Sequence, residues 1–190
     1  DEVRVDRRQC CNGAIPMTLA IDHLMWGAPD LAQGMAQAQQ LFGVEPAPGG
    51  AHPGLGTRNA LLGLGDCVYL EIIAPDPEQN LHGTLGERLP KLDRCALVTW
   101  AAGCGNLSGL ADTGAALGMA VRGPVRTQRR TPSDNVLEWE LLFLGGHEFP
   151  SLIPFFIDWL DTPHPRHKTL RVDSFWSWCC GLHGTQSWPA

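Results

Sequence analysis

The sequence predicts an α+β fold built from two similar halves, each composed of a strand, a helix and about three further strands. The order of elements recurs, and three pairs of landmarks recur at spacings of 74, 76 and 75 residues: Trp26 with Trp100, Asp30 with Asn106, and Gly43 with Gly118. With 44% hydrophobic residues, 22 Gly and 15 Pro, the composition is typical of a folded chain with many turns. Because one sheet with a helix on one side leaves its other face uncovered, a second unit helps to close a cleft.

The first half begins with a strand over residues 17–26. Asp30 is suited to cap the N-terminus of a helix, and Gly43 is suited to end it. Between them the apolar residues fall at helical spacing: Leu31, Met35, Ala38, Leu41 and Phe42. The Gly- and Pro-rich segment 46–59 predicts a loop, which leads into strands at residues 57–64 and 67–74.

A linker with a short helical piece is predicted for residues 76–93. The second half then repeats the pattern with a strand at residues 95–102 and a helix capped by Asn106 and ended by Gly118. The apolar stripe of that helix is Leu107, Leu110, Gly114 and Leu117. Three strands follow, at residues 121–128, 136–144 and 152–159.

The charge balance argues against general binding of nucleic acids. The chain carries 14 basic and 20 acidic residues, a net charge of -6, whereas phosphate neutralisation needs clustered Lys and Arg. The basic run at residues 126–130 is interpreted as a solvated loop. No stretch approaches the ~18 apolar residues of a membrane-spanning helix, so we expect no membrane partner.

The seven cysteines show no CxxC spacing, so the sequence favours neither a zinc site nor a disulfide framework. We expect most of them to be small core residues in a cytoplasmic protein. Residues 1–16 are interpreted as a leader or accessory segment, and residues 168–190 as a divergent, aromatic C-terminal segment.

Four strings of the sequence resemble the glyoxalase-like domains of the vicinal oxygen chelate superfamily: IDHLMWGAPDL (21–31), HPGLGTRNALLGLGD (52–66), YLEIIAPDP (69–77) and FFIDWLDTPHP (155–165). The resemblance covers residues 17–167 and implies paired βαβββ modules, at about 17–76 and 95–160. Together such modules form a half-open barrel of mixed sheet with a central cleft. In this superfamily the cleft often holds a metal, bound by the first and last strands of each module.

The resemblance offers three metal ligands, His23, Glu71 and Asp158, which suit a divalent ion such as Zn, Mn, Fe or Mg. The fourth position falls on Leu97 if Trp26 is aligned with Trp100, and Leu cannot ligate a metal. From the residues alone, a core histidine hydrogen-bonded to the backbone is the favoured interpretation of His23, and the resemblance makes a metal ligand equally well supported. Strand alternation places Tyr69, Glu71 and Ile73 on one face, where a carboxylate needs a cation, hydrogen bonds or solvent.

The segment HPGLGTRN contains further candidates. Glu71 and His52 are the candidate catalytic residues, and His52 could also be a metal ligand or a hydrogen-bonding partner of the substrate. Arg58 and Asn59 follow a Gly-rich turn from which they could reach an anionic or carbonyl group. A structural turn with a surface arginine is the alternative. Trp100 and Trp139 are candidate cleft walls, although core packing is the default for strand tryptophans.

Three functions remain open at this point. The chain is either an enzyme of the lyase, isomerase or dioxygenase type acting on a small oxygenated or aromatic metabolite, or a binding protein that sequesters such a ligand without chemistry. The third is an interaction protein with a closed cleft. Each of the first two has a small-molecule partner, and a homodimer is left open.

Overall fold

The computed structural model describes residues 19–65, 68–130, 135–146 and 153–164. The first half consists of β1 (Ala20–Gly27), a first helix (Leu31–Phe42), β2 (Ala47–His52), β3 (Thr57–Gly63) and β4 (Tyr69–Pro75). Asp30 caps the helix by accepting a bond from the Gln33 N–H at 3.0 Å, and Gly43 ends it in the left-handed conformation, as predicted.

The second half consists of β5 (Ala96–Gly103), a second helix (Leu107–Ala116), β6 (Ala120–Arg130), β7 (Val136–Gly145) and β8 (Phe155–Asp158). Asn106 caps its helix through the Gly109 N–H at 3.0 Å. Two short 3₁₀ helices, Leu85–Glu87 and Leu89–Lys91, occupy the linker between the halves.

The described strands form one eight-stranded mixed sheet in the order β2-β3-β4-β1-β5-β8-β7-β6. The two halves contribute four strands each, in equivalent order from the centre of the sheet to its edge. They meet at the centre, where β1 pairs antiparallel with its counterpart β5. Within each half the first strand pairs in parallel with the last, β1 with β4 and β5 with β8. The sheet curls into a half-barrel, which confirms the predicted α+β fold of paired βαβββ modules.

The outer edges of this curled sheet approach each other. Arg129 of β6 donates a hydrogen bond from Nη1 to the carbonyl oxygen of Gly49 in β2, at 2.7 Å. The two helices pack on the convex face, where each covers an apolar cluster of its own half. The concave face is therefore left to enclose a cleft.

Two bulges interrupt the central pairing of β1 with β5. In the register, Ile21 and His23 face consecutive residues of β5, so Asp22 is the extra residue of the first bulge. Likewise Met25 and Trp26 face Thr99 and Leu97, which leaves Val98 as the extra residue of the second. The bulged residues, Asp22 and Val98, are 76 positions apart, the spacing of the two helix caps. The bulges are thus equivalent features of the two modules.

Two expectations about the chain were wrong. Residues 47–52 form the edge strand β2 rather than a loop, because an edge strand tolerates proline and glycine. Residues 126–130 form the end of β6 rather than a solvated loop, and Arg129 there is 5% exposed.

Residues 1–16 and 168–190 lie outside the described residues, so their interpretation stays a prediction. No helix in the described part of the chain is long and apolar enough to cross a membrane.

Candidate functional site

The concave face encloses a cavity of about 370 Å³. Alternation along each strand decides which side chains reach it. In β4 the cavity is lined by Tyr69, Glu71 and Ile73, whereas Leu70 and Ile72 pack under the first helix. The sequence-based assignment of faces in this strand is confirmed. A polar group of module one thus meets a mainly apolar and aromatic wall of module two.

Glu71 lies at the centre of the polar end of the cavity. Its carboxylate accepts a hydrogen bond from Asn59 Nδ2 to Oε1 at 2.6 Å, and its Oε2 lies 3.3 Å from His23 Nε2. His52 Nε2 is 3.7 Å from Oε1, slightly beyond hydrogen-bond distance. All four side chains belong to module one, and each comes from a different strand, so that side chains of β1, β2 and β3 surround the carboxylate on β4.

His52 is held in one tautomer by its neighbours. Asn59 Nδ2 lies 3.2 Å from Nε2, and an amide N–H can only donate, so Nε2 accepts. The proton then resides on Nδ1, which donates to Thr57 Oγ1 at 2.9 Å. Burial lowers the pKa of His52 below its ordinary value of 6.5, although the nearby charge of Glu71 opposes this shift. A neutral imidazole therefore stands beside the carboxylate at neutral pH.

His23 stands between two carboxylates. Its Nδ1 donates to Asp22 Oδ1 at 2.9 Å, while Nε2 faces Glu71. Neighbouring residues of a regular strand point to opposite faces, but the bulge turns Asp22 onto the side of His23. The ring of His23 also stacks on Tyr69 at 4.7 Å between centroids, which fixes the plane of the imidazole.

Both carboxylate oxygens of Asp22 accept hydrogen bonds. Its Oδ2 accepts from Trp159 Nε1 at 3.0 Å and from His164 Nε2 at 3.2 Å. Burial pushes the pKa of Asp22 upward, but the hydrogen bonds from His164 and His23 outweigh it and leave the pKa below its ordinary value. Asp22 therefore stays a carboxylate and orients the histidine that faces Glu71.

The structure brings together five of the residues singled out from the sequence. His23, His52, Asn59 and Glu71 form the polar cluster, and Trp139 lines the same cavity.

Three others lie elsewhere, for the same reason of strand alternation: Arg58, Trp100 and Asp158. Arg58 lies between the cavity-facing Thr57 and Asn59, and Trp100 packs in the cluster under the second helix. Asp158 follows the cavity-facing Ile157 and accepts a bond from the Leu160 N–H at 2.9 Å, so it caps a turn. It therefore does not converge with His23 and Glu71.

The equivalent helix caps and bulges of the two modules show which residues of module two correspond to His23 and Glu71, and the result differs from the alignment of Trp26 with Trp100. With the helix caps and bulges superposed, His23 corresponds to Thr99 rather than to Leu97. In the parallel pairs, Met25 faces Glu71 and its counterpart Ala101 faces Phe155, so Phe155 takes the place of Glu71. Both counterparts line the cavity.

Two functional candidates were missed from the sequence. Asp22 was passed over because strand alternation predicts that it points away from His23, and a bulge has no reliable signal in a single sequence. Arg129 was hidden in the basic run, and it lines the cavity together with Arg122. The guanidinium of Arg122 stacks over the Phe143 ring at 4.3 Å.

Comparison with known proteins agrees with this geometry. Residues 21–174 match the family described as a glyoxalase-like domain. The solved structures of similar fold include a hypothetical protein from Staphylococcus aureus, with a TM-score of 0.64 and 18% identity over 79% of this chain. The match spans 63% of the length of that protein. No curated protein sequence matches the chain.

Two methylmalonyl-CoA epimerases also share the fold. The enzyme from Streptomyces coelicolor, solved with 2-nitronate-propionyl-CoA, has a TM-score of 0.56 and 18% identity over 77% of this chain and 98% of its own. The enzyme from Mycobacterium tuberculosis has a TM-score of 0.51 and 15% identity, over 75% of this chain and 88% of its own. At these identities the likeness establishes the fold.

The curled sheet of two βαβββ modules around a polar cleft defines a member of the vicinal oxygen chelate superfamily. Within that superfamily, the chain belongs to the glyoxalase-like domain family.

Members of the superfamily often bind a divalent metal in this cleft, but the side chains here do not fit a four-ligand centre. Module one supplies His23 and Glu71, whereas module two supplies the hydroxyl of Thr99 and the phenyl ring of Phe155, which has no donor atom. In the described ranges, no group of three or more His, Cys, Asp or Glu side chains is arranged to hold a metal ion.

Proposed function

We propose that this protein binds a small carbonyl-containing metabolite in the cleft and that Glu71 removes a proton from the carbon beside the carbonyl. The observation that carries the proposal is a buried carboxylate that borders the cavity, accepts a hydrogen bond from Asn59 and lies beside His23 and His52. Such a base contributes about 10²–10⁴-fold to the rate of a proton transfer. The class of reaction is an isomerisation or a lyase step.

Each neighbour of Glu71 has a distinct task in this scheme. Asn59 positions Oε1, so that Oε2 is the oxygen that exchanges a proton. His23 lies 3.3 Å from Oε2 and can carry the proton onward, with Asp22 accepting from its other nitrogen. The neutral His52 exposes no charge to the substrate, and its Nε2 accepts from the same Asn59 amide that holds Oε1. The epimerases of similar fold support this class of chemistry by structural likeness alone.

The aromatic wall supports a second candidate, a protein that binds an aromatic ligand without turnover. Trp139 and Trp159 stand 5.3 Å apart on the cavity wall, and module two contributes neither a histidine nor a carboxylate to the polar cluster. Such a protein would still need the polar cluster to orient its ligand.

Hydrogen exchange in D₂O separates the two candidates without knowledge of the product. A panel of 2-oxoacids, hydroxyketones and acyl thioesters is incubated with the full chain, and loss of the signal of the proton beside the carbonyl is followed by NMR. We expect exchange with at least one class, lowered at least about hundredfold by Glu71→Gln. Asp158→Asn is the matched control, since that carboxylate lies away from the cavity and we expect exchange to continue.

The same assay tests the role of a metal. Exchange that continues after treatment with EDTA supports a reaction without a metal, as expected from side chains that do not fit a four-ligand centre. Exchange that needs added Zn²⁺ or Mn²⁺ contradicts this expectation. Binding of panel members without any exchange would reject the enzyme and leave the binding protein. A cytoplasmic location and a homodimer stay predictions.

A further inference from the structure

Arg129 is a buried cation on the wall of the cavity. It lies near the end of the edge strand β6, is 5% exposed, and borders the same cavity as Glu71. Among the residues that the structure describes, no carboxylate forms an ion pair with it, and its hydrogen bond there goes to the neutral carbonyl of Gly49. A guanidinium offers five N–H donors, so one carbonyl leaves most of its binding capacity unused.

The position of Arg129 is costly unless an anion compensates it. Burial lowers the pKa of the guanidinium, and the charge of Glu71 opposes this from beyond ion-pair distance. A buried charge without a paired counter-charge destabilises a protein, whereas a carboxylate fits the planar guanidinium through two parallel hydrogen bonds. The bond to Gly49 holds the group in one orientation, because it ties β6 to the opposite edge strand β2.

The cavity that both charged groups border is mainly apolar. Its wall includes Trp139, Trp159, Leu141 and Phe143. A cavity of about 370 Å³ lies within the range of ~300–1,000 Å³ that is typical of small-molecule sites. Because the negative charge of Glu71 repels an anion and the guanidinium attracts one, the anionic group of a ligand belongs at Arg129 and its uncharged reacting carbon at Glu71.

We propose that Arg129 is an anion subsite and that the natural ligand is a small organic acid, with its carboxylate on Arg129 and a planar, apolar body along the tryptophan wall. The inference rests on the proposed function for the direction of the ligand, since the carbon beside the carbonyl is the one that faces Glu71. The alternative is that Arg129 serves to close the barrel through Gly49 and has no role in recognition.

Binding of matched probes tests the subsite directly. Benzoate and phenylacetate are titrated against the full-length chain and compared with benzamide and phenylacetamide, which have similar shape without the charge. Quenching of tryptophan fluorescence and calorimetry report binding. We expect the wild type to bind the carboxylates at least about tenfold more tightly than the amides, a gap of ~1.4 kcal/mol, and Arg129→Gln to abolish that preference.

Arg126→Gln is the matched control, because Arg126 lies on the same strand and pairs with Glu138 on an exposed surface. The preference should persist in this variant. Equal binding of acids and amides by the wild type, or an equal loss in both variants, would overturn the proposal. If Arg129→Gln does not fold, the wild-type ratio and Arg129→Lys, which keeps the charge and should retain part of the preference, decide the question.

The outcome is separable from that of the exchange assay. A preference for acids in a protein that exchanges no proton would leave the anion subsite standing and reject the enzyme. Proton exchange on neutral ketones, without a preference for binding acids, would support the enzyme and reject the anion subsite.

Discussion

The two modules share a backbone plan but have opposite chemistry at equivalent positions. Asp22 and Val98 are the bulged residues of β1 and β5, and they differ as a buried carboxylate and an apolar side chain. Asn59 pairs with Ile73 as its counterpart Leu141 pairs with Ile157. Phe155 stands in module two at the position equivalent to Glu71, so the positions that carry the polar cluster in module one carry a largely apolar wall in module two.

This difference shows that the scaffold and the site are specified separately. The bulges of β1 and β5 and the N-terminal helix caps are equivalent in both halves, so they are properties of the fold. The side chains on them differ, and each half contributes a different part of the cleft. Module one supplies the polar cluster around Glu71, while module two supplies the tryptophans and Arg129.

The largest expected effect is the loss of stability when the bulged residue of β1 receives the side chain of its counterpart in β5. Asp22→Val leaves the donors of His23, Trp159 and His164 without their carboxylate acceptor. Breaking a buried charged network costs about 3–5 kcal/mol, and we expect the free energy of unfolding to fall by that amount. Urea denaturation followed by tryptophan fluorescence measures it.

Val98→Ala is the control at the equivalent position, where Val98 packs near Met25 and Leu89. Its loss should be smaller, at about 1–2 kcal/mol, since it removes apolar surface alone. Equal losses in the two variants would show that the polar network of module one adds nothing beyond packing.

A second test converts module two towards module one. Thr99→His combined with Phe155→Glu places an imidazole and a carboxylate at the positions equivalent to His23 and Glu71. Losing even an outer partner of a metal ligand costs about 10–100-fold in affinity, so two added donors should raise Co²⁺ affinity at least about a hundredfold over wild type. The visible absorption of bound Co²⁺ reports the change.

The single variant Phe155→Glu is the matched control and should gain much less. A double variant that binds Co²⁺ no better than wild type would contradict the equivalence of the four positions.

The repeat could be predicted from the sequence because helix caps have a local signal. Asp30 and Asn106 mark equivalent helix starts, and both cap as predicted. The tryptophans mark no equivalent positions, since their spacing differs from that of the caps by two residues. Aligning Trp26 with Trp100 placed Leu97 opposite His23, whereas the caps and bulges place Thr99 there.

The polar cluster could be predicted in part for a similar reason. Regular alternation in β4 correctly placed Tyr69, Glu71 and Ile73 on one face, and the resemblance pointed Glu71 and His23 to the cleft. Asp22 and Arg129 depend on a bulge and on the meeting of two edge strands, which are properties of long-range pairing. Asp158 was misplaced because the register of β8 sets which face it takes, and one residue of difference reverses that face.

A smaller loss of stability is expected from substituting Gly49, whose missing side chain leaves room for the amide of Asn59. A Cβ at this position would overlap Oδ1 of Asn59, so Gly49→Ala must displace the amide that holds Glu71. Overpacking of this kind costs typically about 1–3 kcal/mol, and proton exchange should fall together with stability. Thermal unfolding and the exchange assay measure the two effects.

Gly105→Ala is the control, because a Cβ there meets open space in the described structure. It should change the melting temperature little and leave exchange intact. Full exchange in Gly49→Ala would show that Asn59 does not position Glu71.

The smallest expected effect concerns the pH dependence of stability through His52. Because burial lowers its pKa in the folded state below the 6.5 of the unfolded chain, the unfolded chain binds the proton first as the pH falls. The free energy of unfolding should therefore fall below pH 6.5, by at most ~1.4 kcal/mol per pH unit for one proton. His52→Gln removes this contribution, so the stability gap between wild type and variant should narrow by about 1 kcal/mol from pH 7.5 to 5.5. The exposed His82 provides the control His82→Gln, which keeps His52 and should therefore keep the fall in stability that His52 causes below pH 6.5. Parallel curves for His52→Gln and wild type would mean that His52 takes up its proton as readily in the cleft as in the unfolded chain, and its place as a neutral partner of Glu71 would be lost.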